Sequence, residues 1–323
     1  MAPDPTIVEF SGERNTFLCM ENLDAVHINF SKDQLFLLNI CLAFLMFGVA
    51  LDIRLSDFKR LIQNPKAPIV GLISEYILLP VIALSLIYIF RPLPSLALGM
   101  ILISTVPGGS TSNYMVHLAG ANSALSVLLT SVTTLGAIIV TPLAFVLLSH
   151  ALPDFEHLRQ EISVDASEII QTIIQLVLFP VSIGMYISHR YPELTQKIEK
   201  PVRYLSLGIF IGFVVFAVAG NWDNLKNYLH RVFLLVFVHN GLALLAGYFF
   251  AKINGLPEND ARAISIETGI QNTGLGLALV FKFFSGLGGM AIILAWWGVW
   301  HLITGFVLAT WWQRSKVLSP EQS

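Results

Sequence analysis

Long apolar runs, separated by short polar loops, cover most of the chain. Most of them have about the 20 residues that a helix needs to cross a bilayer. They show no sustained alternation of apolar and polar positions, which the strands of a membrane barrel would need. The pattern predicts nine membrane-spanning helices, near residues 35–52, 67–89, 95–119, 123–149, 168–189, 204–221, 232–251, 263–284 and 289–311.

The composition agrees with a membrane protein. Of the 323 residues, 55% are hydrophobic and only 12% are charged, whereas soluble domains carry about 25% charged residues. The net charge of -2 gives no basic surface for nucleic acid. Cys19 and Cys41 are too few for a disulfide framework, and we interpret both as unpaired. We therefore expect an all-α polytopic protein whose main surroundings are lipid, with no nucleic-acid partner and no obligate protein partner.

The loop charges predict the orientation. The N-terminal segment is acidic and lacks the apolar stretch of a cleaved signal peptide. With this segment outside, twelve of the 19 lysines and arginines fall in inner loops, as the positive-inside bias expects. The prediction is an extracytoplasmic arm over 1–33, a single membrane domain over 34–314 and a cytoplasmic tail over 315–323. The protein would lie in the cell (inner) membrane.

Two carboxylates lie where lipid is expected. Of the 21 acidic residues, Glu75 and Glu267 alone fall in the interior of predicted spans, whereas Asp52 and Glu168 lie at span edges. An ionisable group at membrane depth is costly and usually functional. The alternative is a structural carboxyl that is protonated or paired with a neighbour.

Two predicted spans carry polar interruptions. In "VPGGSTSN" (106–113), Pro107 removes a backbone donor, and two glycines and four small polar residues follow. Lipid cannot satisfy unwound backbone, so protein, water or an ion must do so. A simple proline kink is the alternative, but it leaves the polar residues unexplained. The second interruption, "IETGIQNTGLG" (266–276), has glycines and polar side chains but no proline.

Interrupted helices in corresponding halves of a chain are typical of a transporter's binding site. One carboxylate with several neutral oxygens suits a monovalent hard cation better than a divalent one. The starts of half-helices, with their unpaired amides, suit an anion nearby. A symporter needs to bind its coupling cation and its anion close together and carry both across the membrane.

Several motifs resemble one family. The chain is similar, over about residues 35–312, to the bile acid:sodium symporter family, which includes animal bile-acid transporters and bacterial relatives. The resemblance implies a sodium/proton-antiporter-like fold of inverted repeats, in which two crossed, broken helices lie in a core domain beside a panel domain. The first of ten helices would be missing. The motifs are "FGVALDIRLSDF" (47–58), "VPGGSTSNYMVHLAGANSALSVLLTSVTTL" (106–135), "FVHNGLAL" (237–244), "SIETGIQNTGLGLAL" (265–279) and "WHLITG" (300–305).

The resemblance also implies two sodium sites and a substrate site. The first sodium site would use Ser112, Asn113, Ser126, Thr130 and Glu267. The second would use Glu75, Glu267, Gln271 and the backbone carbonyls of Thr268 and Ile270. The substrate would contact Ser110, Thr111, Asn272 and His301.

Two positions depart from the family pattern. Glu75 stands where relatives usually have glutamine, which leaves open tighter sodium binding, a proton in place of one sodium, or coupled protonation. Leu302 replaces the asparagine that often follows the histidine. The alternative role for His301 is that of a histidine packed or hydrogen-bonded within the membrane. His239 and Asn240 either bind a ligand or support the crossing of the two broken helices. The segment "ELTQKIEKPVRY" (193–204) is interpreted as a solvated inner connection or an interfacial helix.

The sequence therefore predicts a sodium-coupled symporter of organic anions, bile-acid-like or small carboxylates, that works by alternating access. The nearest alternative is a cation/proton antiporter with Glu75 and Glu267 as proton carriers. A sensor that binds without transporting also stays open. An enzyme is not expected, because the chain has no Ser-Lys, paired-aspartate or HExxH arrangement.

Overall fold

The computed structural model describes residues 32–51, 63–152, 166–220, 229–284 and 286–317. Within these ranges every regular element is a helix. The helices are α1 (Lys32–Leu51), α2 (Lys66–Phe90), α3 (Pro94–Thr105), α4 (Thr111–Leu118), α5 (Ser123–Ser149), α6 (166–190), α7 (Pro192–Gly220), α8 (Leu229–Ile253), α9 (Glu258–Gly269), α10 (Thr273–Phe283) and α11 (Gly288–Val317).

Five helical stretches are long and apolar enough to cross a bilayer. They are Lys66–Phe90, Ser123–Ser149, Ile170–Arg190, Val232–Ile253 and Gly288–Arg314. Shorter apolar stretches lie in α1, α3 and α10. Each of the nine predicted runs coincides with a helix or a pair of helices, so the chain is a multi-pass membrane protein. That all nine runs cross the bilayer, and in which orientation, stays a prediction.

Some sequence predictions fall outside the described ranges. The N-terminal arm with Cys19, the basic loop after α1 and most of the C-terminal tail belong there. Cys41 lies in α1 and is a free thiol, as the cysteine count predicts.

The helices form two packed groups. In one, α1 packs against α6 and α7. In the other, α8 packs on α9, and α3 packs between α5 and α11, with α10 against α11. Apolar side chains such as Ile101, Val280 and Ile293 fill the interior of this second group. The groups meet where α1 contacts α10 and where α6 contacts α5.

One order of elements occurs twice along the second group. A long helix, two short helices and another long helix follow one another as α2, α3–α4 and α5, and again as α8, α9–α10 and α11. In each half the short helices are separated by an extended segment. Val106 is extended after α3, and Ile270 is extended after α9. The structure thus has a break in both predicted places, including the one that lacks a proline.

The two breaks cross and hydrogen-bond to each other. The amide of Gly109 donates to the carbonyl of Ile270 at 2.9 Å, and the amide of Asn272 donates to the carbonyl of Pro107 at 2.8 Å. Gly108 and Gln271 therefore form an isolated antiparallel bridge. Because unwound backbone cannot be left unpaired in lipid, each break supplies partners that the other one needs.

The crossing depends on two glycines. A Cβ on Gly109 would stand 3.0 Å from the carbonyl oxygen of Gln271 and 3.2 Å from its carbonyl carbon. A Cβ on Gly108 would stand 3.1 Å from Oε2 of Glu267 and 3.3 Å from Oε2 of Glu75. Any larger residue would push the breaks apart or displace the carboxylates.

We expect Gly109→Ala to destabilise the protein by about 1–3 kcal/mol, the usual cost of overpacking. The atoms in its way are backbone that is fixed by the crossing, so they cannot move aside cheaply. Gly241→Ala is the matched control, since nothing lies within 4 Å of a Cβ at this α8 position. Thermal unfolding in detergent should show a lower midpoint for Gly109→Ala alone. Equal midpoints for both variants would contradict the close crossing.

Candidate functional site

Glu267 lies buried in the last turn of α9, just before the second break. Its Oε1 accepts hydrogen bonds from the hydroxyls of Ser112, at 2.5 Å, and Ser126. Its Oε2 accepts one from the hydroxyl of Thr130 at 2.9 Å. No lysine or arginine in the described ranges forms an ion pair with it. The hydrogen-bond donors to this carboxylate are therefore neutral hydroxyls.

The amide of Asn113 completes the cluster. Its Oδ1 lies 2.7 Å from the hydroxyl of Ser126 and 3.2 Å from that of Thr130. Ser126 and Thr130 are four residues apart on α5 and so share one face, which points at the break. The structure brings together all five residues predicted for the first sodium site, namely Ser112, Asn113, Ser126, Thr130 and Glu267.

A contact that the sequence reasoning missed fixes α5 beside α9. Asn122 caps α5 by accepting from the amide of Leu125 at 3.1 Å. Its side-chain amide also donates to the carboxylate of Asp260 at 2.7 Å. Since Asp260 lies in the first turn of α9, this bond sets the position of the Ser126–Thr130 face relative to the helix that carries Glu267.

Glu75 lies on the other side of Gly108. It belongs to a π-helical turn, Ser74–Leu78, inside α2, and such turns occur often at functional sites. The preceding Ser74 hydrogen-bonds to the hydroxyl of Thr268 at 2.7 Å, which ties α2 to α9. Glu75 is only 3% exposed, yet neither of its carboxylate oxygens has a hydrogen-bond partner in the described part of the chain.

The other residues predicted for the second sodium site surround the end of α9. The side-chain amide of Gln271 donates to the carbonyls of Thr268, at 3.0 Å, and Glu267, at 3.3 Å. The carbonyl of Ile270 accepts from Gly109. Each of these carbonyl oxygens has a second lone pair. The structure places Glu75, Glu267, Thr268, Ile270 and Gln271 around the same crossing.

Asn240 and His239 support the crossing from α8. The side-chain amide of Asn240 donates to the carbonyl of Gly269 at 2.7 Å, and the hydroxyl of Thr304 donates to Asn240 at 2.8 Å. The ring of His239 packs against Trp297, with 4.8 Å between ring centroids. Of the two alternatives for these residues, the geometry favours the structural one.

A cavity of about 750 Å³ opens beside the crossing. All four residues predicted for substrate binding line it, namely Ser110, Thr111, Asn272 and His301. His301 is 2% exposed, and its Nδ1 has no hydrogen-bond partner in the described ranges. Leu45, Val49, Met115 and Leu302 give the cavity apolar walls. Leu302 therefore presents an aliphatic side chain where the family resemblance leads one to expect an amide.

Two helices begin at this cavity. Ser110 precedes the first turn of α4, and Asn272 caps α10 by accepting from the amide of Leu275 at 3.0 Å. The amides of a first helical turn carry partial positive charge and bind anions. The cavity thus has an anion-favouring end at the crossing and an apolar lining.

Of the two interpretations of residues 193–204, the separate connection is wrong, because these residues form the first turns of α7, which continues to Gly220 through Pro201. That this helical stretch lies at the membrane interface stays a prediction. Lys200 and Tyr204 of this stretch line the cavity, and so does His117 of α4. No local signal marks these residues, because the side of α7 that meets the cavity depends on its packing against α1.

Crossing breaks, buried carboxylates and an adjoining cavity inside a multi-pass helical protein define a membrane transporter. Residues 39–228 match the model of the Sodium Bile acid symporter family. The chain belongs to this family, whose proteins are transporters and not enzymes.

Relatives agree with the family match. An uncharacterized sodium-dependent transporter of Bacillus subtilis is 35% identical over 280 residues, which are 86% of this chain and 83% of the relative. A probable chloroplastic sodium/metabolite cotransporter of Arabidopsis thaliana is 31% identical over 270 residues. A further chloroplastic one, from Oryza sativa, is 29% identical over 275 residues. The matches cover 84% and 80% of this chain but only 65% and 64% of the plant relatives.

We expect Asn240→Ala to lower stability by about 1–3 kcal/mol, the cost of leaving a buried carbonyl without its donor. The carbonyl is that of Gly269, at the end of α9. Asn254→Ala is a suitable control, because the side chain of Asn254, the residue after α8, donates to the nearby carbonyl of Phe250 at the end of that helix and makes no other hydrogen bond within the described ranges. Thermal unfolding compares the two variants, and an equal loss in both would speak against a role of Asn240 at the crossing.

Proposed function

We propose that the protein is a secondary transporter that couples the inward flow of sodium to the uptake of a small organic anion. The observation that carries the proposal is the burial of Glu267 among neutral oxygens at the crossing of the two breaks. The names of the relatives support sodium as the coupling ion. The cavity that adjoins the crossing supports a separate organic substrate.

The oxygens around Glu267 are better arranged to bind a cation than to hydrogen-bond to one another. Five close oxygen–oxygen contacts link Ser112, Asn113, Ser126, Thr130 and Glu267. The three hydroxyls bring only one proton each. With the Asn113 oxygen turned inward, two of the five contacts have no proton between the oxygens. A sodium ion among them would supply the missing positive charge, and carboxylate, hydroxyl and amide oxygens are the ligands that hard cations prefer.

A second sodium ion would lie between Glu75 and Glu267. Both carboxylates point at Gly108, where the absence of a side chain leaves room between them. Two like charges in a buried site repel strongly, and a cation between them removes this repulsion. Backbone carbonyls of Thr268 and Ile270 and the side chain of Gln271 are at hand as further ligands. Two sodium ions with one monovalent anion would carry net positive charge inward.

The substrate would bind with its anionic group toward the starts of α4 and α10. Ser110, Thr111, Asn272 and His301 would hold that group, and the apolar walls would contact the rest of the molecule. A volume of about 750 Å³ lies in the range usual for ligand sites of about 300–1,000 Å³. It accepts a small carboxylate as well as a bile-acid-like molecule.

Transport would follow from the two-group architecture. Sodium would neutralise the carboxylates and hold both breaks in place, so that the substrate site at the same breaks is ready. The group of α1, α6 and α7, as the panel domain, would then rock against the inverted-repeat core, as in other transporters of this kind. Lys200 lines the cavity and belongs to a stretch that the loop charges place on the cytoplasmic side. We therefore assign this conformation as inward-facing.

Sodium should stabilise the purified protein against heat more than potassium does at equal ionic strength, because only a ligand of the folded state shifts its unfolding. Glu267→Gln should abolish this difference. Ser126→Ala should raise the half-saturating sodium concentration about tenfold, the effect of about 1.4 kcal/mol. Ser131→Ala is the control, since its hydroxyl bonds only to Val127 of its own helix.

Equal stabilisation of the wild type by sodium and potassium would contradict the proposal. Adding a panel of organic anions to the same assay, with and without sodium, would then identify the substrate class. An anion that stabilises the protein only in the presence of sodium is the expected result.

A cation/proton antiporter is the second candidate, and one observation favours it. The unpartnered oxygens of Glu75 beside Glu267 are suited to a proton as well as to sodium. Proteoliposomes distinguish the two functions, because an antiporter exchanges sodium for protons in the absence of any organic anion.

We expect Glu75→Gln to raise the half-saturating sodium concentration in the thermal assay, because one of the two negative charges near the ions is lost. Glu258→Gln removes a carboxylate that pairs with Lys252 and Arg262 on the surface, and it should leave sodium stabilisation unchanged. Unchanged sodium dependence in Glu75→Gln would take Glu75 out of the ion site.

A further inference from the structure

The cavity has walls from both helix groups. The residues assigned above to the anion, Ser110, Thr111, Asn272 and His301, all belong to the group that contains the crossing. The opposite wall comes from α1 and α7, with Leu45 and Val49 from α1 and Lys200 and Tyr204 from α7. A substrate in the cavity therefore has residues of both groups around it.

The α7 wall carries a fixed positive charge. Lys200 is the sole lysine or arginine among the described residues that line the cavity, and no aspartate or glutamate is among them. Its Nζ carries a full charge, whereas a helix start provides only about half of one. A carboxylate near a protein surface is attracted to such a charge over several ångströms, and added salt weakens this attraction.

We propose that Lys200 is a specificity-determining residue, which makes the cavity select anionic over neutral substrates. The assignment rests on the proposed function, since it concerns the same cavity and the same class of substrate. Lys200 would add a contact from the group of α1, α6 and α7 to the contacts that the substrate makes at the crossing.

The position of Lys200 has a consequence for the transport cycle. Rocking of α1, α6 and α7 against the crossing group would separate Lys200 from the starts of α4 and α10. Lys200 would then contribute to anion binding in the conformation described here and not in the opposite one. The affinity for the anion would therefore differ between the two sides of the membrane.

The test measures ligand binding to the full-length protein in nanodiscs at constant sodium. The probes are small carboxylates, including pyruvate and benzoate, each beside its uncharged methyl ester. Lys200→Gln should weaken the binding of the best carboxylate about two- to fivefold, as expected for the loss of one exposed charge pair. Binding of the ester should stay the same, and Lys200→Arg should keep most of the carboxylate affinity.

Lys197→Gln is the matched control. Lys197 is exposed on the same helix, three residues before Lys200, but it does not line the cavity. This variant has the same net charge as Lys200→Gln and should bind the carboxylate like the wild type. Raising the ionic strength with N-methylglucamine chloride should weaken carboxylate binding in the wild type more than in Lys200→Gln.

Sodium-induced thermal stabilisation shows whether Lys200→Gln is folded, and we expect it to be unchanged. Carboxylate binding by folded Lys200→Gln with wild-type affinity would overturn the role of Lys200 and leave the proposed function standing. A wild type that binds no carboxylate in a sodium-dependent way would overturn the proposed function and, with it, the role of Lys200.

Discussion

The hydrogen-bonded crossing of two unwound segments is the constraint on which the rest of the structure depends. Lipid offers no partners for a free amide or carbonyl, so a break in one membrane helix needs partners from elsewhere, and here the second break supplies some of them. The pairing of Gly108 with Gln271 meets this need, and it requires residues without a side chain at Gly108 and Gly109. Two carboxylates border the space left at Gly108, and the helices that start beyond the breaks open on a cavity.

This geometry would make the binding of the proposed ion and of the proposed substrate interdependent. Glu267 lies in the last turn of the helix before one break, and its hydroxyl partners lie on the helix after the other break and on α5. An ion held by these groups fixes both breaks relative to each other. The anion would bind at the first turns of α4 and α10, which those same breaks position. Whatever orders the crossing for the ion therefore also orders it for the anion, which is positive coupling between two sites.

Local chemistry explains which features the sequence could predict. Apolar runs, a Pro-Gly-Gly interruption and a carboxylate at membrane depth are visible along the chain, and they led to the helices, both breaks and Glu267. The other residues around Glu267 were predicted from the resemblance to the family. Contacts between distant segments are not visible in this way. Three examples are the contact of Asn122 with Asp260, the contact of Asn240 with Gly269, and the position of Lys200 at the cavity. Each depends on how whole helices pack, and the pattern of residues along a single helix does not encode this packing.

The central claim is that sodium binds at the crossing and is held there by Glu267. Equilibrium binding of radioactive sodium to the purified protein tests it most directly, with Glu258→Gln as a carboxylate control. We expect saturable binding of two ions per chain in the wild type and the control, and loss of this binding in a folded Glu267→Gln variant. Saturable sodium binding that Glu267→Gln leaves intact would contradict it.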